Sequence, residues 1–294
     1  MLLLVALAAC HAVRDPPVRS HPRAGAGLML DSNSIDVYWI GHATVLVRMG
    51  DRWILTDPNF STRIGGLVRR YVRPGVAIDD LPDLDWVVVS HAHADHLDIP
   101  SLRKLPARAR ARASLVIPPG VADLIPASVA FPRTFAVSMW HSVEADGVRV
   151  TAVPARHADA RWVIDELWRR DAHTGYVIEY GALTVYFAGD TGYDRELFAT
   201  IGERFDIDVA LIPVGPANRP GWVHRLRRHV HVDPDEALAI FDDVGAQWMV
   251  PIHYGTFFKA DAGERRAIRT AIDRHPRARA VRMLTIGDST TFHW

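Results

Sequence analysis

The residues with the clearest chemical potential form a six-residue stretch, His91-Ala92-His93-Ala94-Asp95-His96. An apolar run at residues 86–90, which is typical of a buried strand, precedes this stretch. Alternate residues at a strand end point the same way, so His91 and His93 can converge on one metal ion. Where the chain then turns, Asp95 and His96 can face a second ion. Imidazole and carboxylate together suit zinc, iron or manganese, and the absence of thiolate argues against a structural zinc clamp.

Further ligands are expected at other strand ends, because one turn cannot complete two coordination spheres. Three candidates each follow a predicted strand: His157, Asp190 and His253. Each of these residues alone is weak evidence for a metal site, since a single histidine after a strand is more often a surface residue. Together with the six-residue stretch they give seven ligands from four strand ends. That number suffices for two divalent metal ions with open positions for water and substrate, zinc being the first choice.

The elements that must position these ligands are mostly short strands. Runs with strand patterning fall at 35–40, 44–48, 52–56, 86–90, 114–117, 148–153, 175–180, 183–188, 208–212, 247–252 and 281–286. Helical patterns fall at 98–105, 119–124, 194–204, 233–244 and 261–274. The clearest helix is 233–244, which Asp233 can cap, Pro234 can begin and Glu236 can complete as a capping box. This order predicts an α+β fold, an αββα sandwich with two mixed sheets packed face to face between outer helices.

Composition narrows the class of protein. The 294 residues are 49% hydrophobic and 23% charged, with a formal net charge of zero, values typical of a soluble globular protein. The balanced charge gives no electrostatic reason to expect a nucleic acid as partner. The fifteen histidines are unusually many, which favours metal chemistry. Cys10 is the only cysteine, which excludes internal disulfides.

The N-terminal residues predict a membrane anchor ahead of the folded domain. Residues 1–10 end in Leu7-Ala8-Ala9-Cys10, which resembles a bacterial lipoprotein signal with Cys10 as the lipidated residue. The run is too short to span a bilayer and lacks a basic start, so a chance apolar terminus is the alternative. Residues 11–34 predict a flexible tether and residues 35–294 a single domain. The expected location is the bacterial cell envelope, or the cytoplasm if the signal is spurious.

Residues 91–96 match the H-x-H-x-D-H signature of the metallo-β-lactamase superfamily. More narrowly, the chain resembles the N-acylphosphatidylethanolamine-hydrolysing phospholipase D family and its bacterial relatives. The matching segments are Trp39–Thr44, Leu55–Pro58, Ser90–Asp98, Phe187–Tyr193, Ile201–Phe205, His231–Pro234 and Ile252–Phe257. The resemblance covers about residues 36–260 and implies the metallo-β-lactamase fold and a metal-dependent hydrolase.

The resemblance also implies how the ligands divide between two ions. The implied ligands of one ion are His91, His93 and His157, those of the other are Asp95, His96 and His253, and Asp190 bridges the two. His42 and Asp57 match motifs near the metals, and we expect them to orient ligands without binding metal.

His231 matches the family histidine that contacts the substrate phosphate. A physical reason supports that role, because His231 lies two residues before the cap of the predicted helix 233–244, whose free amide groups and dipole favour an anion. The alternative is an exposed residue that merely precedes the helix. With Asp95 and Asp190, His231 completes the candidate catalytic residues.

By the resemblance, the expected reaction is two-metal hydrolysis of a phospholipid, of the phospholipase D type, on substrates such as N-acyl phosphatidylethanolamine. Segments 156–173 and 216–230 interleave tryptophan with arginine, and we expect them to overhang the site. Such segments suit a membrane surface or an anionic lipid headgroup, and they would equally suit single-stranded nucleic acid. The alternative is that the tryptophans belong to the core and the arginines are solvated surface residues.

Two other functions fit the same residues. One is a different hydrolase on this scaffold, such as a lactonase, a cyclic phosphodiesterase or a nuclease. The other is a non-catalytic envelope lipoprotein that keeps the metals for stability or binds lipid. The presence of all seven ligands argues against the second.

Overall fold

The computed structural model describes residues 33–157, 172–215, 230–257 and 262–294. The strands in these ranges are β1 Ser34–Gly41, β2 Thr44–Met49, β3 Arg52–Thr56, β4 Arg63–Ile64, β5 Val68–Arg69, β6 Trp86–Val88, β7 Ser114–Ile117, β8 Arg133–Ala136, β9 Ser142–Ala145, β10 Val148–Val153, β11 Gly175–Tyr180, β12 Leu183–Phe187, β13 Val209–Pro213, β14 Trp248–Ile252 and β15 Ser289–His293. The helices are α1 Ile99–Lys104, α2 Ala107–Arg110, α3 Arg195–Arg204, α4 Pro234–Asp243 and α5 Ala262–Arg274.

Two mixed sheets form the centre of the protein. The first has seven strands in the order β15-β1-β2-β3-β6-β7-β8, and the second has six in the order β14-β13-β12-β11-β10-β9. Among the described strands, β4 and β5 pair only with each other, as a separate hairpin.

Strand β6 lies between two hydrophobic cores. Its side chains, and that of the residue after it, point alternately into one core and into the other. Trp86 and Val88 belong to the buried cluster that joins both sheets and helices α3 to α5. Val87 and Val89 point to the opposite face and pack with Leu102 and other residues near α1 and α2. Helices therefore cover the outer face of each sheet, which confirms the predicted αββα sandwich.

The predicted strand at 281–286 is wrong. Val281 makes a single bridge to Met249, and the strand at this end of the chain is β15, which pairs antiparallel with β1. Only Phe292 of β15 is buried, so its sequence carries no apolar pattern. The apolar residues between 281 and 286 are buried by packing of irregular chain.

Strands β8 and β9, which the sequence did not predict, are half-exposed edge strands. Residues 119–124 form a 3-10 helix where an α-helix was predicted.

Some predictions lie outside the described residues. These are the lipoprotein signal, all but the last two residues of the tether, residues 158–171 of the first segment rich in arginine and tryptophan, and all of the second such segment except Val230. Strand β1 begins at Ser34, one residue before the predicted start of the domain. Within the described ranges, no helix has both the length and the apolar character needed to cross a bilayer.

Strand direction decides where the site lies. Strands β1 and β3 run the same way because both are antiparallel to β2, and β6 is parallel to β3. In the second sheet β12, β13 and β14 are parallel, and β10 shares their direction because β11 is antiparallel to both β10 and β12. The carboxyl ends of same-direction strands lie at one edge of a sheet, where α/β proteins place their ligands.

Candidate metal centre

The structure brings all seven predicted ligands together at these carboxyl ends. His91 to His96 form the turn shortly after β6, and His157, Asp190 and His253 follow β10, β12 and β14. The side chains form three overlapping groups whose ligand atoms lie within 4.8 Å of one another: His91, His93 and His157; His91, His96 and Asp190; and His42, Asp95, His96 and His253. The group of His91, His93 and His157 is identical to the ligand set that the resemblance implies for one ion. The group with His42 contains the ligand set implied for the other ion, and the group with Asp190 has one member from each set.

The first group is a cluster of three imidazoles. His157 Nε2 lies 3.1 Å from His93 Nδ1, and the rings of His91 and His157 are 4.6 Å apart between centroids. His91 Nε2 is buried and makes no hydrogen bond within the described residues. An imidazole nitrogen buried in this way costs free energy unless something binds it. Three nitrogen donors converging on one point fit zinc, iron or manganese.

Asp190 lies between the two ligand groups. Its Oδ1 is 2.9 Å from His253 Nε2, and its Oδ2 is 3.3 Å from His96 Nε2. His96 Nε2 also lies 3.8 Å from Asp95 Oδ2. Asp190 also shares a ligand group with His91, which belongs to the first set, and the resemblance implies that this carboxylate would bridge two ions.

The electrostatics of the cluster suit metal ligands. Burial lowers the pKa of His157 to about 3 and lowers the pKa of His91 well below its ordinary value, so both stay neutral, as coordination requires. Burial alone would raise the pKa of Asp190, but His253 and His96 hold that pKa well below the ordinary range. For His96, burial lowers the pKa but Asp190, Asp95 and Asp57 raise it well above its ordinary value. The carboxylates thus favour positive charge here, which a divalent ion would supply.

Asp57 and Ser90 orient one histidine of each group. Asp57 is fully buried and accepts hydrogen bonds from His96 Nδ1 at 2.6 Å, from Ser90 N at 2.7 Å and from Ser90 Oγ at 2.6 Å. Ser90 Oγ lies 2.9 Å from His91 Nδ1. Because the serine proton goes to Asp57, its oxygen can accept from His91. This leaves the Nε2 atoms of His91 and His96 as the atoms that would bind metal.

Replacing Asp57 with Asn is expected to weaken metal binding at both ligand groups by about 10- to 100-fold, because the tautomers of His91 and His96 are no longer held. Competition with a chelator measures the affinity of each ion. Asp36→Asn is the matched control, since Asp36 is buried and binds Arg48 and Thr291 away from the centre. Unchanged metal affinity in the Asp57 variant would contradict this role.

Two main-chain carbonyl groups orient a further histidine of each group. His157 Nδ1 donates to Val230 O at 2.8 Å, and His253 Nδ1 donates to Gly215 O at 2.7 Å. Each bond selects the tautomer that leaves Nε2 as the metal-facing atom. No sequence pattern indicates these bonds, since any residue supplies a carbonyl.

His42 lies closer to the ligands than expected. Its Nε2 is 3.0 Å from Asp95 Oδ2, and burial, followed by His253, lowers its pKa to about 3. The neutral ring therefore donates to Asp95, the orienting role expected for it. His42, Asp57 and His253 are three of the five non-glycine residues with positive φ among those described. Such backbone conformations are costly and concentrate at functional sites.

Arg70 supports the Asp95 side of the centre, and sequence reasoning missed it. This buried arginine donates from Nε to Ser61 O at 2.9 Å and from Nη2 to Asn59 O at 2.5 Å. Asn59 Nδ2 in turn donates to Asp95 O at 2.9 Å. The guanidinium also lies 4.7 Å from the centre of the Phe257 ring. Arg70 therefore ties the loop beneath Asp95 to the segment after His253.

Replacing Arg70 with Met is expected to lower the free energy of unfolding by about 3 kcal/mol, because two buried carbonyl groups lose their donor. We also expect metal binding at Asp95, His96 and His253 to weaken more than metal binding at His91, His93 and His157. Chemical denaturation and metal titration measure the two effects. Arg48→Met serves as control, since Arg48 pairs with Asp36 away from the centre. Equal weakening of both ions would contradict the local role.

His231 lies beside the cluster with a side chain that is 20% exposed. Its Nδ1 is 3.5 Å from Asp190 Oδ2, and its ring centroid is 5.4 Å from that of His157. The physical reason given above for phosphate contact by His231, that the start of the following helix offers free amide groups, is not supported. Asp233 and Glu236 form the predicted capping box at the start of α4, so the amide groups that they bind are not free for an anion. The position of His231 against Asp190 supports its role better than the helix does.

A family model described as the Beta-lactamase superfamily domain matches residues 52–254, more than half of the chain. The chain therefore belongs to this superfamily, and it is a metal-dependent hydrolase with the metallo-β-lactamase fold.

Relatives with assigned names agree with this class. N-acyl-phosphatidylethanolamine-hydrolyzing phospholipase D 1 of Caenorhabditis elegans is 30% identical over 235 residues, which are 74% of this chain and 63% of that protein. A metal-dependent hydrolase of Methanoregula boonei is 29% identical over 238 residues, 80% of this chain and 89% of that protein. The chain spans about 60% of the length of the first curated relatives that it matches.

Among solved structures, Igni18, a metallo hydrolase from Ignicoccus hospitalis, superposes with a TM-score of 0.64 at 23% identity. The similarity covers 89% of this chain and 99% of that one. It supports the fold.

Proposed function

We propose that this protein is a dinuclear-metal phosphodiesterase that hydrolyses phospholipids, of the phospholipase D type, on substrates such as N-acyl phosphatidylethanolamine. The position of Asp190 between two ligand groups, with His231 beside it, is the observation on which the proposal rests. A pair of divalent ions bound there would generate a nucleophile from water and neutralise phosphate charge. The name of the Caenorhabditis elegans relative supports the substrate class.

The three candidate catalytic residues divide into two roles. The neighbouring histidines hold the pKa values of Asp95 and Asp190 below the ordinary range, against the effect of burial. Such carboxylates are poor proton acceptors, so we assign them to holding the ions. His231 Nδ1 lies 3.5 Å from Asp190 Oδ2 and 20% of its side chain is exposed, so we assign His231 to contact with a phosphate oxygen of the substrate. A hydrogen bond there would stabilise the charge that develops during hydrolysis.

Metal identity and location belong to the same proposal. Zinc is our first choice, with iron or manganese compatible with the same nitrogen and oxygen donors. We place the reaction at the bacterial cell envelope, on the strength of the Cys10 motif. Metal quantification tests the first point, and mass spectrometry of Cys10 in the native host tests the second.

The function is tested by product analysis on the purified, metal-replete protein. The panel contains N-acyl phosphatidylethanolamine, phosphatidylcholine, cyclic nucleotides, lactones and single-stranded DNA. We expect phosphatidic acid and an N-acylethanolamine from the first, with no products from an Asp190→Asn control. Turnover of a lactone, a cyclic diester or DNA without phospholipid cleavage would replace the proposal with another hydrolase. Vesicle binding without any turnover would favour a non-catalytic lipoprotein.

A further inference from the structure

The β4–β5 hairpin exposes apolar side chains beside the candidate metal centre. Leu67 is 71% exposed and Val68 is 37% exposed. Within the described residues the only other large hydrophobic side chain so exposed is Trp294, at 40%, at the end of the chain. Exposed apolar side chains clustered on one element commonly indicate an interaction surface.

A tight turn places Leu67 and Val68 next to the tip of the hairpin. Gly65 and Gly66 both have positive φ, of 53° and 78°, and Leu67 N donates to Ile64 O at 2.9 Å. Two consecutive residues with positive φ are typical of tight hairpin turns. Arg63 adds a bond from Nη1 across the turn to Leu67 O.

The hairpin lies directly over the ligand-bearing turn. A methyl group placed on Gly65 would be 3.7 Å from Cβ of Ala94, between His93 and Asp95. At its base, Tyr71 N donates to Thr256 O at 2.7 Å, close to His253. A surface bound by the hairpin would therefore lie next to the reacting centre.

Between Asp57 and Asp79 the chain that forms the hairpin carries only basic charged residues, whereas the turn beneath the hairpin contains Asp95. Residues 58–78 contain four arginines, Arg63, Arg69, Arg70 and Arg73, and no aspartate or glutamate. All except Arg70 are exposed. An apolar tip between arginines fits an anionic lipid surface, because the tip can enter the acyl region while the guanidinium groups meet headgroup phosphates.

We propose that the β4–β5 hairpin docks this protein on an anionic phospholipid membrane, with Leu67 and Val68 entering the interface and Arg63 and Arg69 binding phosphates. This inference rests on the proposed function, since it positions the centre against the layer that contains the substrate. It concerns only a surface of the folded domain and is independent of lipidation at Cys10.

Vesicle sedimentation tests the hairpin in the full chain, with Cys10→Ser in every variant so that acylation cannot contribute. The vesicles contain phosphatidylcholine with or without phosphatidylglycerol. The double variant Leu67→Ser/Val68→Ser is expected to bind both kinds of vesicle about tenfold more weakly. The double variant Arg63→Gln/Arg69→Gln is expected to lose about tenfold on anionic vesicles alone. Trp294→Ser and Arg149→Gln are matched controls, an exposed apolar and an exposed basic residue elsewhere.

A second measurement separates this inference from the proposed function. Turnover of a water-soluble phosphodiester reports the centre without a membrane, and we expect the hairpin variants to lose vesicle turnover far more than soluble turnover. Hairpin variants that bind vesicles like the parent, or controls that weaken equally, would overturn the docking surface even if phospholipids are cleaved. A shift of the Leu67→Ser/Val68→Ser variant in oligomeric state, with vesicle binding unchanged, would also overturn it in favour of a contact between two copies. Docking without phospholipid cleavage would instead remove the proposed function alone.

Discussion

Replacing Asp190 with Asn is expected to lower turnover by on the order of 10³-fold or more and to weaken both ions together. The amide keeps the shape of the side chain but removes the negative charge that lies 2.9 Å from His253 Nε2 and 3.3 Å from His96 Nε2. Without that charge the two ions would repel each other across the centre with no shared anion between them. Metal content after dialysis and turnover of a soluble diester measure the two losses.

Two comparison variants make this prediction specific to a bridging position. His93→Ala should weaken one ion only, because His93 belongs to a single ligand group. Asp208→Asn removes a buried carboxylate elsewhere and should leave metal content at the level of the parent. If Asp190→Asn kept both ions, or lost only the one lost in His93→Ala, Asp190 would not bridge.

Replacing His231 with Ala is expected to lower turnover by about 10²-fold while leaving metal content unchanged. The side chain lies at the edge of the cluster, with Nδ1 3.5 Å from Asp190 Oδ2, and belongs to none of the three ligand groups. An interaction made only with developing charge should lower kcat more than it raises KM. Steady-state kinetics together with metal quantification separate this role from coordination.

His96→Ala is the reference for that variant, because His96 belongs to two of the ligand groups. It should lose metal as well as activity. Equal metal loss in the two variants would make His231 a ligand. A His231→Gln variant that regains part of the turnover, by donating from its side-chain amide, would support hydrogen bonding to phosphate.

Part of the centre could be predicted from the sequence because its ligands are local features of strand ends. His91, Asp190 and His253 each follow a buried strand within a few residues, and an apolar run identifies such a strand directly. The capping box of α4 is equally local, since it depends on residues three apart. Local patterns also indicated the class of fold, because strands and helices differ in the spacing of their apolar residues along the sequence.

Long-range packing decided the rest. Strand β15 contains one buried residue, and only its pairing with β1 makes it a strand. The carbonyl groups of Gly215 and Val230 orient His253 and His157, although a carbonyl group has no sequence signature. Arg70 reaches Asp95 through Asn59, a path whose two ends lie far apart in sequence.

The sequence by itself therefore determined which side chains can bind metal and the type of fold that carries them. The tertiary structure alone decided how each ligand is oriented and which surface faces outwards beside the centre. The physical reason is that residue type and periodicity act along the chain, whereas tautomers, hydrogen-bond partners and exposure depend on groups that meet only after folding.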